Sequence, residues 1–557
     1  MSGWMDHLTI APIVLPLLVG ALLMLIDERR RTLKAALGLG SAVLLLVLAV
    51  LLLRLADGAP ADGAAAVRVY RLGNWPSHFG IVLVLDRLAA LMLLLTGILG
   101  VAALVFSLAR WQHAGAHFHS LFQFQLMGLN GAFLTGDLFN LFVFFEIMLA
   151  ASYGLALHGS GLARVRAGLH YLVINLAASL LFLIGVSVIY GVAGTLNMAE
   201  LANRMAVIAG EDRALLEAGA AILGIAFLIK AGMWPLGFWL PNTYATVGAA
   251  SAAIISILSK VGIYAVLRLW LLMFGEGGGA SAGFGSLWLL AGGLLTIAFG
   301  SVAVLATQNM ARLAGASVLV SSGTLLAAVG TGQVSVTGGA LFYMTSSVLA
   351  IAGFFLLIEL VERGREVGAD VLAVTREAFG EDEEVDEDDE VGVPIPATMA
   401  LLGAGFIACA LLLAGLPPLS GFLAKFAMLG PLMSQGAAGV SPTAWALLAA
   451  FILSGLATVV AMTRTGIDVF WASADAVPRV RVVELAPVML LLALCVALTV
   501  QAGPVMRYME ATARSMHAPD GYVAGVLPKP GPFGGQAGGQ AGGQAGARAG
   551  AREGGNR

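Results

Sequence analysis

Long apolar runs separated by short polar breaks fill this chain. They fall at about residues 9–26, 34–53, 79–108, 118–136, 138–157, 169–193, 215–240, 247–273, 284–306, 313–330, 338–361, 398–430, 442–463 and 484–504. Most approach or exceed the ~20 residues that a helix needs to cross a hydrocarbon layer of ~30 Å. The pattern predicts an all-α polytopic membrane protein of about fourteen transmembrane helices. Asp6 precedes the first run, and neither a basic leader nor a small-residue cleavage site accompanies it, so that run reads as a retained span.

Two stretches break the pattern in the same way. In 222–268, Lys230 and Lys260 lie in the middle of apolar sequence, with Pro235 and Pro241 between them. In 411–430, LLLAGLPPLSGFLAKFAMLG, Pro417 and Pro418 stand a short distance before Lys425. Proline frees backbone carbonyls, which are tolerated at membrane depth only where protein or water satisfies them. A cation at the bilayer centre costs about 2.5–3.5 kcal/mol on insertion scales. Interrupted spans in corresponding positions point to two inverted repeats with a transport path at their junction. The expected organisation is helices 1–3 in 1–110, a first repeat in 111–275 and a second in 276–465 that includes an inner loop at 363–397. A final helix in 466–504 and a low-complexity tail in 505–557 complete it.

Composition supports the membrane setting. Of 557 residues, 59% are hydrophobic and 11% charged, with a mean hydropathy of +0.91, against about 25% charged residues in soluble domains. The loops are asymmetric. With the N-terminus outside, inner loops hold fourteen Arg/Lys (29–31, 34, 110, 164, 166, 312, 363, 365, 376, 464, 479 and 481), against Arg54, Arg68, Arg71, Arg204, Arg213 and Arg268 outside. Both termini then face outward. The net charge of −3 conceals EDEEVDEDDE at 381–390, a block expected to be solvated, although it could also attract cations or dock a partner. The tail ending in GGQAGGQAGGQAGARAGAREGGNR cannot build a core. Cys409 and Cys495 lie in apolar runs and read as small hydrophobes. No metal-ligand cluster, phosphate-binding loop or nucleophile elbow is present, so no cofactor, metal or nucleic acid is expected, and the chain does not read as a metabolic enzyme.

The candidate chemistry rests on a few side chains. The chain has 25 arginines and five lysines, and Lys230, Lys260 and Lys425 are all within apolar runs. Arginine keeps its proton in proteins, whereas a buried lysine can release one. Glu146, in LFNLFVFFEIMLAASYG, is the acid well inside an apolar run; Asp137, Glu217 and Glu359 sit near span ends. Its carboxylate needs a partner from another helix or a proton. One reading pairs it with Lys230; the other makes it a neutral acid bonded between helices, and Lys230 a structural cation on a carbonyl. His170 begins the next span and is a candidate relay or an interfacial residue. Tyr171 and Asn175 are candidates to hold water beside it.

FEIMLAASY around Glu146, KAGMWPLGFWLP from Lys230, SKVGIYAVLR from Lys260 and GLPPLSGFLAKF ending at Lys425 together resemble the antiporter-like family of 14-helix subunits. Respiratory complex I, membrane hydrogenases and Mrp-type Na+/H+ antiporters share this family, and the resemblance covers roughly 80–465. It implies a charge pair of Glu146 with Lys230, a central hydrophilic axis reached through Lys260, and an exit-side site at Lys425. The motif FFEIMLAASYGL, the start APIVLPLLVGALLML and lysine at 425 resemble the D-type branch of the Mrp antiporter subunits most. The partners then implied are subunits of the A, B, C, E, F and G types, the bilayer, H+ and Na+, in a prokaryotic plasma membrane. No amphipathic helix is expected after residue 505, unlike the complex I subunit with a long lateral helix. Asn242 and Tyr244 stand where many relatives carry Asp and His, and LFYMTSSVLAIAGFF lacks the usual histidine or lysine. Serine hydroxyls with water are the substitute expected there. The alternatives are a proton-pumping subunit of a redox enzyme and a scaffold, and buried central charges argue against a scaffold.

Overall fold

The computed structural model describes residues 7–58, 67–76, 80–159, 161–208, 210–366, 397–434, 439–470 and 480–527. The acidic block at 381–390 and the glycine-rich repeat after 527 lie outside the described residues. Each apolar run contains helix: Ala11–Leu25 (α1), Arg31–Asp57 (α2), Arg87–Ser107 (α3), Phe118–Leu134 (α4), Leu138–Leu157 (α5) and Leu162–Ala193 (α6). A short helix, Met198–Met205 (α7), precedes Gly210–Ala231 (α8), Leu240–Thr246 (α9), Ala249–Ile255 (α10) and Leu258–Phe274 (α11). Then come Ser286–Ala306 (α12), Met310–Gly330 (α13), Val334–Glu366 (α14), Ala397–Ala414 (α15), Ser420–Met433 (α16), Pro442–Phe470 (α17) and Val482–Val500 (α18). Among the described residues, 12 helical spans are long and apolar enough to cross a membrane, and α1 and α16 are shorter apolar helices.

Both expected breaks are present, and they share a local design. α8 stops at Ala231 and α15 at Ala414; the next residues, Gly232 and Gly415, have φ of 77° and 73°. That left-handed conformation suits glycine. In each case the following amide reaches back five residues, Met233 N to Leu228 O and Leu416 N to Leu411 O, both at 3.0 Å. This is the Schellman way of ending a helix, and it satisfies carbonyls that would otherwise be stranded in hydrocarbon. Pro241 lies in the first turn of α9, where no intrahelical amide bond is lost. A third interruption, at Ser256 and Ile257, separates α10 from α11 just before Lys260.

α13 and α14 are wholly buried over an apolar stretch of 18 residues, whereas α2, α15 and α18 bury only 33% of theirs and turn leucine and valine outward. α12 and α13 approach closely: a Cβ on Gly293 would lie 2.3 Å from the Ala327 amide, and one on Gly330 2.4 Å from that of Leu290. Small residues let membrane helices pack in this way. α4 carries buried His119, Ser120, Gln123, Gln125 and Asn130. Pro16 in α1 has no amide to give to Pro12, and Asn130 Nδ2 donates to that carbonyl at 2.9 Å instead. Gln123 joins Gly38 O and Ser41 Oγ, both at 2.9 Å, tying α4 to α2.

Several expectations are corrected. The run at 79–108 opens as a strand, Val82–Leu85 (β2), paired antiparallel with Arg68–Arg71 (β1). Arg268, counted with the outer loops, is buried in α11 and is held by both oxygens of Asp86. The region from 505 is helical rather than linker-like as far as Val526. Ala502–His517 (α19) is amphipathic, burying Met509, Thr512, Ala513 and Met516, and Asp520–Val526 (α20) follows. The i, i+3, i+4, i+7 spacing of those four residues is the signal that composition masked. Tyr508 of α19 donates to Arg87 O at 2.8 Å. Arg110, Arg164 and Arg363 converge on one cavity, while Arg71 meets Val526 and Arg268 meets Tyr522.

Removing one member of a buried ion pair strands the other. Asp86→Ala is expected to destabilise the folded chain by about 3–5 kcal/mol, and Asp86→Ala with Arg268→Met to recover much of that loss. Denaturation midpoints in detergent check this; equal losses in the two variants would contradict it.

Candidate functional site

Glu146 projects from α5, Lys230 from the last turn of α8, Lys260 from the first turn of α11 and Lys425 from α16. Glu146 and Lys230 make no direct ion pair among the described residues. α6 stands between them. Ser179 Oγ donates a short hydrogen bond to Glu146 Oε1, and Lys230 Nζ donates to Asn175 Oδ1 at 3.5 Å. Asn175 and Ser179 are four residues apart, so one buried face of α6 presents both, one turn from each other. Lys230 also lies 5.0 Å from the Phe145 ring centroid, a cation–π arrangement. Tyr171, one turn before Asn175, shares a 2.6 Å hydrogen bond with Ser152 of α5.

Lys230, Asn175, Tyr171 and Phe145 border a cavity of about 20 Å³ that Trp239, Leu258 and Val261 also line, whereas Glu146 and Ser179 do not reach it. One water needs ~10–15 Å³. Leu258 and Val261 flank Lys260, which is 1% exposed. Lys260 Nζ and Trp239 Nε1 are buried without a hydrogen-bond partner among the described residues. A buried ammonium and a buried indole N–H both require acceptors; Trp239 lines this cavity, which is large enough for a water, whereas Lys260 lies behind its Leu258 and Val261 wall.

Lys425 is arranged differently. Its Nζ donates at 2.9 Å to Ala414 O, the last carbonyl of α15 before the break, so the cation occupies the place that the interrupted helix leaves unpaired. α14 meets this end through hydroxyls. Ser346 Oγ lies 2.8 Å from Ser420 Oγ, and Ser321 Oγ of α13 donates to Ser347 Oγ at 3.0 Å. Tyr343, Ser317 and Thr458 join Ser321, Ser346 and Ser347 around a cavity of about 10 Å³. This hydroxyl cluster occupies the stretch of α14 where the sequence places no histidine or lysine.

The supporting residues divide. Asp137 caps α5, its side chain accepting from Asn140 N at 2.9 Å. Burial pushes its carboxyl above the usual range, against the pull of the Asn140 and Phe139 amides. Pro235 and Pro417 lie on the exposed turns of the two breaks. His170 is exposed on the outer face of α6 and is not brought to the cavity. Ser179, Ser152, Trp239 and Ser420 do not stand out in the sequence. Their readable signal is the i, i+4 spacing of Tyr171, Asn175 and Ser179 in an otherwise apolar helix. Among the described residues, no three His, Cys, Asp or Glu side chains gather as metal ligands.

Residues 135–456 match the family described as NADH:quinone oxidoreductase/Mrp antiporter, transmembrane. The chain is 60% identical over 535 residues to the D-type subunit of a "Probable K(+)/H(+) antiporter" of Rhizobium meliloti (strain 1021), covering 95% of this chain and 99% of that one. It is 33% identical to the D-type subunit of the Na(+)/H(+) antiporter of Alkalihalophilus pseudofirmus (strain ATCC BAA-2126 / JCM 17055 / OF4), covering 94% and 100%. A chain in the solved Mrp complex from Dietzia sp. DQ12-45-1b shares the fold, with a TM-score of 0.77 at 24% identity over 95% of this chain and 100% of that one. The relatives are antiporter subunits, in keeping with a transport role rather than a catalytic one. This multi-span membrane protein therefore belongs to the NADH:quinone oxidoreductase/Mrp antiporter family, as an antiporter-like subunit of the Mrp type.

Proposed function

We propose that this chain is the proton-translocating subunit of a multisubunit monovalent cation/H+ antiporter. In this reading it crosses a prokaryotic plasma membrane fourteen times with both termini outside. Residues 111–275 and 276–465 form the two inverted repeats, and subunits of the A, B, C, E, F and G types are its partners. The observation that carries the reading is the indirect contact of Glu146 with Lys230 through Ser179 and Asn175.

A direct buried ion pair would hold its proton too firmly to cycle. With α6 between them, the two opposite charges still attract, though less than a pair in direct contact would. That is enough to bias the protonation of Lys230 without locking it. A proton released from Lys230 Nζ enters the small cavity that Lys230 lines and moves on by water toward Lys260, whose neighbours Leu258 and Val261 form part of the cavity wall. In the second repeat the hydroxyls of Tyr343, Ser321, Ser347, Ser346 and Ser420 take over. In the hydrogen-bonded pairs Ser321–Ser347 and Ser346–Ser420 each hydroxyl accepts a proton on its oxygen and gives up its own hydrogen, and water carries the proton between the pairs and on to Lys425. Every change of charge alters the proton affinity of the next site, which couples proton movement to cation movement elsewhere in the complex.

One similar relative is named for K+ and another for Na+, so the exchanged ion is a monovalent alkali cation. The 60% identity of the former favours K+.

Glu146→Ala and Lys230→Ala are each expected to abolish cation-driven pH changes in proteoliposomes of the whole complex while leaving assembly intact. The response of the unsubstituted complex should be larger with K+ than with Na+; normal antiport in either variant would overturn the assignment. The double variant Ser346→Ala/Ser420→Ala should slow antiport by roughly tenfold, ~1.4 kcal/mol in the barrier, and change its solvent isotope effect. The matching threonine variants should retain most of the rate. An unchanged rate and isotope effect in the alanine variant would remove the hydroxyls from the path.

A further inference from the structure

The largest polar hollow among the described cavities lies apart from the lysines, at the membrane face where Arg110, Arg164 and Arg363 converge. It holds about 480 Å³ and is also bordered by Glu359, Glu362 and Tyr244. Its wall is fixed by a bonded frame. Trp111 Nε1 donates to Glu359 Oε2 at 2.7 Å. Arg363 joins Glu359 at 2.5 Å and Glu484 of α18 at 2.6 Å. Arg164 lies 5.2 Å from the Trp111 ring centroid and donates to Thr246 O at 2.8 Å. His158 Nε2 is 2.9 Å from Trp111 O. A Cβ on Gly248 would lie 2.5 Å from the Trp111 ring, so glycine there lets the indole close the wall. A cavity of this size lined by charges fills with water.

The hollow stops at Tyr244. This side chain is 1% exposed, and its hydroxyl donates at 2.9 Å to Ile255 O, the final carbonyl of α10. Just past it come Ser256, which is buried, and then Lys260. On its other side α9 packs against α6, and Tyr171, which lines the Lys230 cavity, lies within electrostatic reach of Tyr244. One phenol therefore stands between the large hollow and the helices that carry both first-repeat lysines.

We propose that this hollow is the aqueous portal through which protons from the arginine-rich face reach the first repeat, and that Tyr244 is the barrier at its floor. The phenol closes the break between α10 and α11 by filling the acceptor on Ile255, and its ring seals the passage beside Phe355, whose centroid is 6.0 Å away. The inference rests on the proton-translocation reading, and its test is independent of antiport.

Ala245 lines the hollow, and Ser256, which does not, is buried next to the Ile255 carbonyl that Tyr244 holds. The native thiols of Cys409 and Cys495 are buried, so the unsubstituted complex serves as the background. The experiment applies a charged, membrane-impermeant methanethiosulfonate to the assembled complex in right-side-out and inverted vesicles. Ala245→Cys is expected to react from the cytoplasmic face alone. Ser256→Cys should resist labelling with Tyr244 in place, and react at least about tenfold faster from that same face once Tyr244→Ala is added. Tyr244→Phe, which keeps the ring and loses the bond to Ile255, should fall between them and controls for misfolding. Labelling of Ser256→Cys that ignores residue 244, or an Ala245→Cys thiol that is unreactive from both faces or equally reactive from each, would overturn the proposal. The Glu146 and Lys230 variants report on the relay separately.

Discussion

The architecture depends on one constraint: within a hydrocarbon layer, every broken backbone hydrogen bond and every charge must find its partner inside the protein or in water the protein admits. A chain that keeps lysines at membrane depth must therefore also supply acceptors for them there. It does so by interrupting helices. Lys425 is held on the carbonyl that the end of α15 exposes, and Lys230 occupies the last turn before the end of α8. The glycine-terminated breaks and the buried cations are thus two aspects of one arrangement. Each break ends its helix cleanly, which limits the stranded groups to those a cation, a hydroxyl such as Thr296 on Trp234 N, or water can satisfy.

Arginine and lysine are used for opposite purposes. Arg268 is clamped on Asp86 with Tyr264 and Tyr522 against it, and Arg363 spans Glu359 and Glu484. These guanidiniums keep their protons and fix helix to helix: α11 to the start of α3, and α14 to α18. The buried lysines are held more loosely: by a long contact to Asn175 for Lys230, by a single carbonyl for Lys425 and by no hydrogen bond among the described residues for Lys260. A cation held loosely in a poorly solvated place is one whose proton can leave. The stiff arginine frames at the two faces hold apart the helices between which those looser groups sit.

Much of this was legible in the chain. The helices follow from run length, because a span must hide its backbone over a fixed thickness. The two breaks follow from Pro235, Pro241 and Pro417 beside glycine. Glu146 and the three lysines stand out because charge is rare and expensive in such surroundings. The amphipathic C-terminal helix was legible too, in Met509, Thr512, Ala513 and Met516, but the glycine-rich composition further on obscured it.

What only the tertiary structure decided is how these residues meet. Linear order places Glu146 and Lys230 on separate helices, and nothing local says that a third helix supplies Asn175 and Ser179 between them. His170 carries the right chemistry for a relay, yet the helix turns it outward, because a helical face is assigned by what packs against it. The serines of α13, α14 and α16 look unremarkable one by one and form a cluster only once three helices converge. Length and hydropathy are properties of a segment and survive in one dimension; partnership depends on distances between segments far apart in the chain, and those exist only after the helices have packed.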